Sequence, residues 1–311
     1  MNQLSAISPE LLIASVMVAS TPILLAALGE LVVEKAGVLN LGVEGLMIIG
    51  AVCGFAMAVI TGSVFVGAVA AMVGGAMLAL VFAFLTQYLL SNQVATGLAT
   101  TLFGLGLASL IGKPFIGERP PPMPRLQVEF LSDLPFIGHV LFSHDPILYL
   151  ALLLAFLVWY FLRYTKMGLV LRAVGENHDA AHSIGYSVRL TRLAAICFGG
   201  ALAGLGGCYL SLVRVPQWSE GMTAGAGWIA LALVVFSSWR PLRLVLGAWL
   251  FGGVTVLQLN LQAAGVGIGV AYLSVAPYVV TIVVLVLISL NRSQRLLNAP
   301  ACLGRSFFIT S

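Results

Sequence analysis

The sequence predicts an all-α, polytopic transmembrane helical bundle, and three observations carry that expectation. Hydrophobic residues make up 60% of the 311-residue chain and charged residues only 8%, a balance far from that of soluble domains. Mean hydropathy is +1.06, and apolar runs near the length that crosses a bilayer as helix recur along the whole chain. The 34 glycines suit helices that pack closely inside lipid. Residues 1–311 therefore read as one transmembrane domain, with the lipid bilayer as its surroundings.

Taken in order, the apolar runs give about nine spans (eight to ten), at roughly 10–29, 41–61, 64–85, 94–112, 147–163, 193–213, 225–239, 242–260 and 276–291. The first has no lysine or arginine before Lys35, so it lacks the basic leader of a cleaved signal and is expected to be a permanent span. The second carries Gly42, Gly45, Gly50 and Gly54, which weaken it as a helix and leave it open to being broken or re-entrant. The seventh is short. The glycine-rich stretch 261–275 is left as a loop or a half-helix. The four cysteines (Cys53, Cys197, Cys208, Cys302) have neither metal-site nor disulfide-framework spacing.

Charge distribution then sets the orientation. With the 163–192 loop in the cytoplasm, eleven of the fifteen lysines and arginines fall on that side, a positive-inside bias. Lys113, Arg119, Arg125 and Arg214 remain on the other. The amino terminus is thus expected outside and the carboxyl terminus in the cytoplasm. The formal charge of +4 is scattered among short loops, so no nucleic-acid partner is expected. The largest outer segment, 113–146, carries the proline cluster Pro120–Pro124, which prevents regular helix. It reads as a structured connector or as a docking lip for an external binding protein.

Between the first two spans lies GELVVEKAGVLNLGVEGLMIIGA, Gly29 to Ala51. Ionisable groups are costly beside hydrocarbon, so Glu30, Glu34 and Glu44 mark either a functional site or buried structural pairs. The stretch, with its Gly29-Glu30, Asn40-Leu41-Gly42 and Glu44-Gly45, resembles the signature of bacterial ABC-importer permeases of the branched-chain amino acid, sugar and nucleoside type. It is most similar to the nucleoside branch. In the 163–192 loop, DAAHSIG (Asp179 to Gly185) resembles the cytoplasmic coupling motif of ABC importer permeases, with Asp179 in place of the family's glutamate. Asn177 can cap that short helix, Asp179 favours its positive end and Gly185 suits a left-handed stop. Ala180, Ala181 and Ile184 are expected to form a shallow apolar face, with Glu176 just upstream. The bland alternative is an amphipathic helix lying on the bilayer.

Two further stretches carry weaker signals. Gly200, Gly204 and Gly207 form a small-residue stripe in the sixth span, read as static packing. GMTAGAGWIALALVVFSSWRP, with Gly221, Gly225 and Gly227 ahead of Ile229 and Ala230, resembles the family's second half. Its Gly225-to-Ala230 segment superficially fits a dinucleotide fingerprint, but no strand precedes it. Gly112-Lys113-Pro114 is not a phosphate loop, because Pro114 stands where Ser or Thr is required.

The resemblance implies a permease subunit that works by alternating access and binds no cofactor of its own. ATP would sit on a separate ABC ATPase partner. A second, homologous permease subunit would complete the pathway, and an extracytoplasmic substrate-binding protein would deliver the solute. The location implied is the bacterial inner membrane. A nucleoside or nucleobase is the leading substrate; branched-chain amino acids and simple sugars are the alternatives. Asn40, Glu44, Gln93, Thr96, Thr100 and Asn260 are the candidate pathway residues, each also readable as an interhelical hydrogen-bonding group. ATPase coupling is assigned to Glu176, Asp179, Ala180, Ala181, Ile184 and Gly185. Rival readings are a proton-coupled secondary transporter using Glu30, Glu34 or Glu44, and a membrane enzyme built on its histidines.

Overall fold

The computed structural model describes residues 9–124, 144–264 and 298–308, with single positions between 275 and 286. Among these residues the chain is helical, with no strand. The long helices are α1 (Pro9–Lys35), α2 (Val43–Thr61), α3 (Val64–Ala83), α4 (Gln93–Gly112) and α5 (Pro146–Tyr164). Two short helices follow, α6 (Lys166–Glu176) and α7 (His178–Ser183). Then come α8 (Val188–Tyr209), α9 (Ala226–Phe236) and α10 (Pro241–Ala263). Single π-helical turns, Phe84–Tyr88 and Leu210–Arg214, extend α3 and α8.

Local sequence chemistry decides where most of these helices begin. Asn92, Asp145, Thr165 and Asn177 each accept a hydrogen bond from the backbone N–H three residues on, at 3.0 Å in every case. Ser63 and Ser187 do the same at 3.5 and 3.4 Å. Each cap satisfies a donor that the first turn leaves unpaired. Pro146 and Pro241 open α5 and α10, where a missing N–H costs nothing.

α8 is the post around which the bundle is built. It packs against α1, α2 and α3, and its glycines face all three. A methyl group on Gly199 would strike Val33 of α1, one on Gly204 would strike the Ala71 carbonyl of α3, and one on Gly207 would strike the Met47 carbonyl of α2. The stripe noted in the sequence is thus a close-packing surface, and it serves several neighbours. α2 lies inside this ring and is buried along most of its length, so its glycines serve close packing. Its helix is continuous from Val43 to Thr61, with no break at its glycines.

Seven helices of the described residues are long and apolar enough to cross a membrane. The expected seventh span, 225–239, is instead the eleven-residue helix α9. At 1.5 Å per residue it reaches about 16 Å, roughly half a hydrocarbon core. Most of the ninth expected span and most of the 113–146 segment lie outside the described residues. Helix directions put Lys35, Arg163, Arg192, Arg240 and Arg305 at one end of the bundle, and Lys113, Arg119 and Arg214 at the other.

Candidate functional site

α1 continues through Glu30 and Glu34 to Lys35, so two of the three expected interfacial carboxylates sit on a buried helix face. Glu30 accepts the backbone N–H of Asn40 at 3.2 Å. Glu34 accepts the indole N–H of Trp239 at 2.5 Å. Trp239 itself holds a φ of +56°, an unusual backbone for a bulky residue, and the indole bond is part of what keeps it there.

Glu44, in the first turn of α2, reaches across to the start of α9. Its Oε1 accepts the Thr223 hydroxyl at 2.5 Å and the Gly225 N–H at 2.9 Å; its Oε2 accepts the Gly227 N–H at 2.7 Å. The carboxylate therefore occupies the positive end of α9 and fills the donors that the helix leaves open. Gly227 lies against the Glu44 backbone, where a Cβ would sit 2.5 Å from Cα. Gly225, at φ +86°, turns the incoming chain into the helix. The glycine-led start visible in the sequence thus has a partner 180 residues away, which local pattern could not name. These bonds let a half-length helix begin inside the bundle with the N–H groups of Gly225 and Gly227 satisfied.

The other expected pathway residues are placed as follows. The Asn40 side chain accepts from the Gly42 N–H at 2.8 Å, and Gln93 Oε1 accepts from the Leu39 N–H at 2.9 Å. Thr100 donates to the Thr96 carbonyl at 2.8 Å, while Thr96 exchanges a bond with Ser91 at 2.9 Å. Of these, Gln93 ties the 36–42 segment to α4, helped by Thr101, whose hydroxyl donates to the Leu41 carbonyl at 3.1 Å. Asn260 lies apart from them on α10, donating to the Val256 carbonyl at 3.0 Å. A cavity of about 1140 Å³ opens at the opposite end of the bundle, between the first turns of α1, Pro120–Met123, Asp145, Arg214 and α10. None of the six expected pathway residues lines it.

At the Lys35 end, α7 is capped by Asn177 and stopped by Gly185 at φ +93°, as its sequence suggested. Its apolar residues do not share one face. Ala181, 2% exposed, turns inward to a small cluster with Val170, Val174, Val188 and Phe307. Ile184, 70% exposed, faces out with Ala180, Asp179 and Tyr186. A six-residue helix has room for one residue per turn on each side, so the expected three-residue face divides. Glu176, just before the helix, is exposed and contacts the Ala301 N–H at 3.4 Å.

Arg192 is the residue that sequence reasoning passed over. It was counted as a loop charge, yet it is 0% exposed. Its Nε donates to the Ala36 carbonyl at 3.2 Å and its Nη1 to the Arg305 carbonyl at 3.0 Å, while Nη2 lies 3.3 Å from His178 Nδ1. An arginine has only donors, so Nδ1 must be the acceptor and His178 neutral. Burial lowers the His178 pKa first, and the Arg192 charge lowers it further. The available signal was an arginine in the first turns of an apolar helix, where an unpaired charge would be costly.

The comparisons agree with this architecture. The family described as "Branched-chain amino acid transport system / permease component" matches residues 12–289. The chain is 39% identical to a putative glucose ABC transporter permease protein of Haloferax volcanii, over 93% of this chain and 94% of the relative. It is 31% identical to a guanosine ABC transporter permease protein of Bacillus subtilis, over 88% and 91%. It is 32% identical to a nucleoside ABC transporter permease protein of Lactococcus lactis, over 89% and 92%. No solved structure matches. The chain belongs to the branched-chain amino acid transport system permease family, as a multi-pass ABC transporter permease.

Proposed function

We propose that this chain is the translocating subunit of an ABC importer for a nucleoside, with the Lys35 end in the cytoplasm and the cavity end outside. The observation that carries the reading is α7, a capped and terminated short helix presenting Ile184, Ala180 and Asp179 outward at the end where basic residues collect. Its exposed face suits a groove on a separate ATPase, and its inner face is anchored to the bundle through Ala181. Positive-inside asymmetry supports the orientation. A second permease chain completes the pathway, and an extracytoplasmic binding protein delivers solute to the cavity bounded by Arg119, Arg214, Glu10 and Asp145.

In this reading the Glu44–α9 contact is the part that must move or hold while access alternates. Its three donors make Glu44 a bridge between α2 and α9. Two relatives with nucleoside or guanosine in their names support the nucleoside substrate. The more similar putative glucose permease favours a simple sugar as the second reading. Purification in mild detergent followed by reconstitution with the co-purifying subunits tests both levels. An ATPase and a second permease should accompany the chain, and labelled guanosine or adenosine should enter vesicles only with ATP. Glucose uptake in place of nucleoside uptake would select the sugar reading. Active transport by the lone chain would reject the ABC mechanism.

A further inference from the structure

The carboxyl-terminal segment 298–308 lies between the two parts of the site. It is a chain without regular helix, returned to the Lys35 end and fixed there at several points. Lys35 Nζ donates to the Asn298 carbonyl at 2.7 Å, the Cys302 N–H to the Gly175 carbonyl at 2.9 Å, and the Gly304 N–H to the Gly37 carbonyl at 3.2 Å. Phe307 then inserts beside α7, its ring 5.4 Å from that of His178 and 5.2 Å from that of His182. Arg192 closes the assembly from below, because its planar guanidinium reaches Ala36, the tail at Arg305 and α7 at His178 in one fork.

Each of those contacts belongs to a different segment of the chain. Ala36 opens the 36–42 segment, which leads into the first turn of α2 where Glu44 holds the start of α9. His178 is the first residue of α7. We infer that the 298–308 tail, held by Arg192 as a positioning residue, is the strut that carries displacement of α7 to the 36–42 segment and so to the Glu44–α9 contact. The inference rests on the coupling role proposed for α7. A planar fork with three fixed acceptors resists shear between the parts it joins, where a flexible ammonium would not. Gln93 joins two of these segments, accepting from the Leu39 N–H at 2.9 Å and donating to the Arg305 carbonyl at 3.5 Å, and Arg192 adds α7 as the third. α7 itself packs on α8 mainly through the small cluster that Phe307 completes.

The test uses the reconstituted complex of this chain with its ATPase, second permease and binding protein, comparing wild type, Arg192→Lys and Phe307→Ala. Both variants are expected to keep the ATPase bound and to retain its unstimulated hydrolysis within twofold. Stimulation by solute-loaded binding protein, and uptake, should fall at least tenfold. Stimulated hydrolysis within twofold of wild type in both variants would overturn the inference. Loss of the ATPase from both complexes would overturn it too, by assigning the tail to assembly. Should Arg192→Lys fail to accumulate, Phe307→Ala decides alone, since it removes a ring from the small cluster at α7 and leaves the core of the spans untouched. If the wild-type chain holds no ATPase, the coupling reading itself fails, which is a different result from normal coupling in the variants.

Discussion

The Glu44 carboxylate and the Gly227 N–H, 2.7 Å apart, join the first turn of α2 to the first turn of α9. Two helix beginnings thus meet at one carboxylate, and one of them belongs to a helix too short to cross a bilayer.

Replacing Glu44 by Gln should therefore destabilise the fold and not merely slow uptake. An amide offers one acceptor to three donors and turns its NH2 toward N–H groups. Loss of charge-assisted bonds is worth about 1.5–3 kcal/mol each in buried settings. The variant should melt several degrees lower in detergent and transport poorly. Unchanged melting with unchanged uptake would remove Glu44 from the site.

Gly185→Val should reach the membrane but lose the ATPase. A Cβ there meets nothing within 4 Å, so the effect comes from the left-handed φ of +93°, costing about 1–2 kcal/mol for a residue with a side chain. The exit of α7 would be redirected while the spans stay intact. Co-purification measures this, with Ser187→Val as the comparison. Normal ATPase binding by Gly185→Val would make α7 an ordinary surface helix.

Two glycines separate packing from propensity. Gly204→Ala puts a methyl into the Ala71 carbonyl, with backbone on both sides and no side chain able to yield. Overpacking of this kind costs about 1–3 kcal/mol. Gly106→Ala, with open space around its Cβ position, should leave the melting temperature unchanged or raised. Equal effects from the two would contradict the close α3–α8 approach.

Acid should loosen the α7–tail contact. His178 is neutral in the folded state and its pKa is lowered from 6.5, so the unfolded or undocked form binds more protons as pH falls below about 6.5. Stability from this group is present above that pH and is lost as pH falls through the lowered folded value. Protection of the tail amides in hydrogen exchange should drop between pH 7 and 5.5 (on the order of the histidine range), and the drop should shrink in His178→Asn. A pH-independent exchange rate would dismiss the role of His178.

Orientation is testable at exposed sites. Cysteine placed at Gln217 should react with an impermeant thiol reagent in intact spheroplasts, and cysteine at Ile184 should not, both positions being exposed. Cys302 is a poor probe, because it is buried. Reversed labelling would exchange the two faces and end the coupling assignment.

By itself, the sequence determined the membrane class, most helix starts, the family and the α7 cap. The class follows from composition, the family from the resemblance carried by Gly29–Ala51 and Asp179–Gly185, and the helix starts from groups within four residues of one another, such as Asn177 with Ala180 or Asp145 with Leu148. Only the tertiary structure decided that α9 is a half-length helix, because its hydropathy resembles a span while its start is held by Glu44 from 180 residues away. Nor could local pattern show that Ala181 faces inward to Phe307, or that Arg192 is a buried fork and not a loop charge. An arginine reads as solvated until its acceptors are known, and here two of the three are backbone carbonyls of distant segments, which carry no signal in the residue types. Long-range hydrogen bonds between backbone and side chain decided the site, and sequence spacing does not encode them.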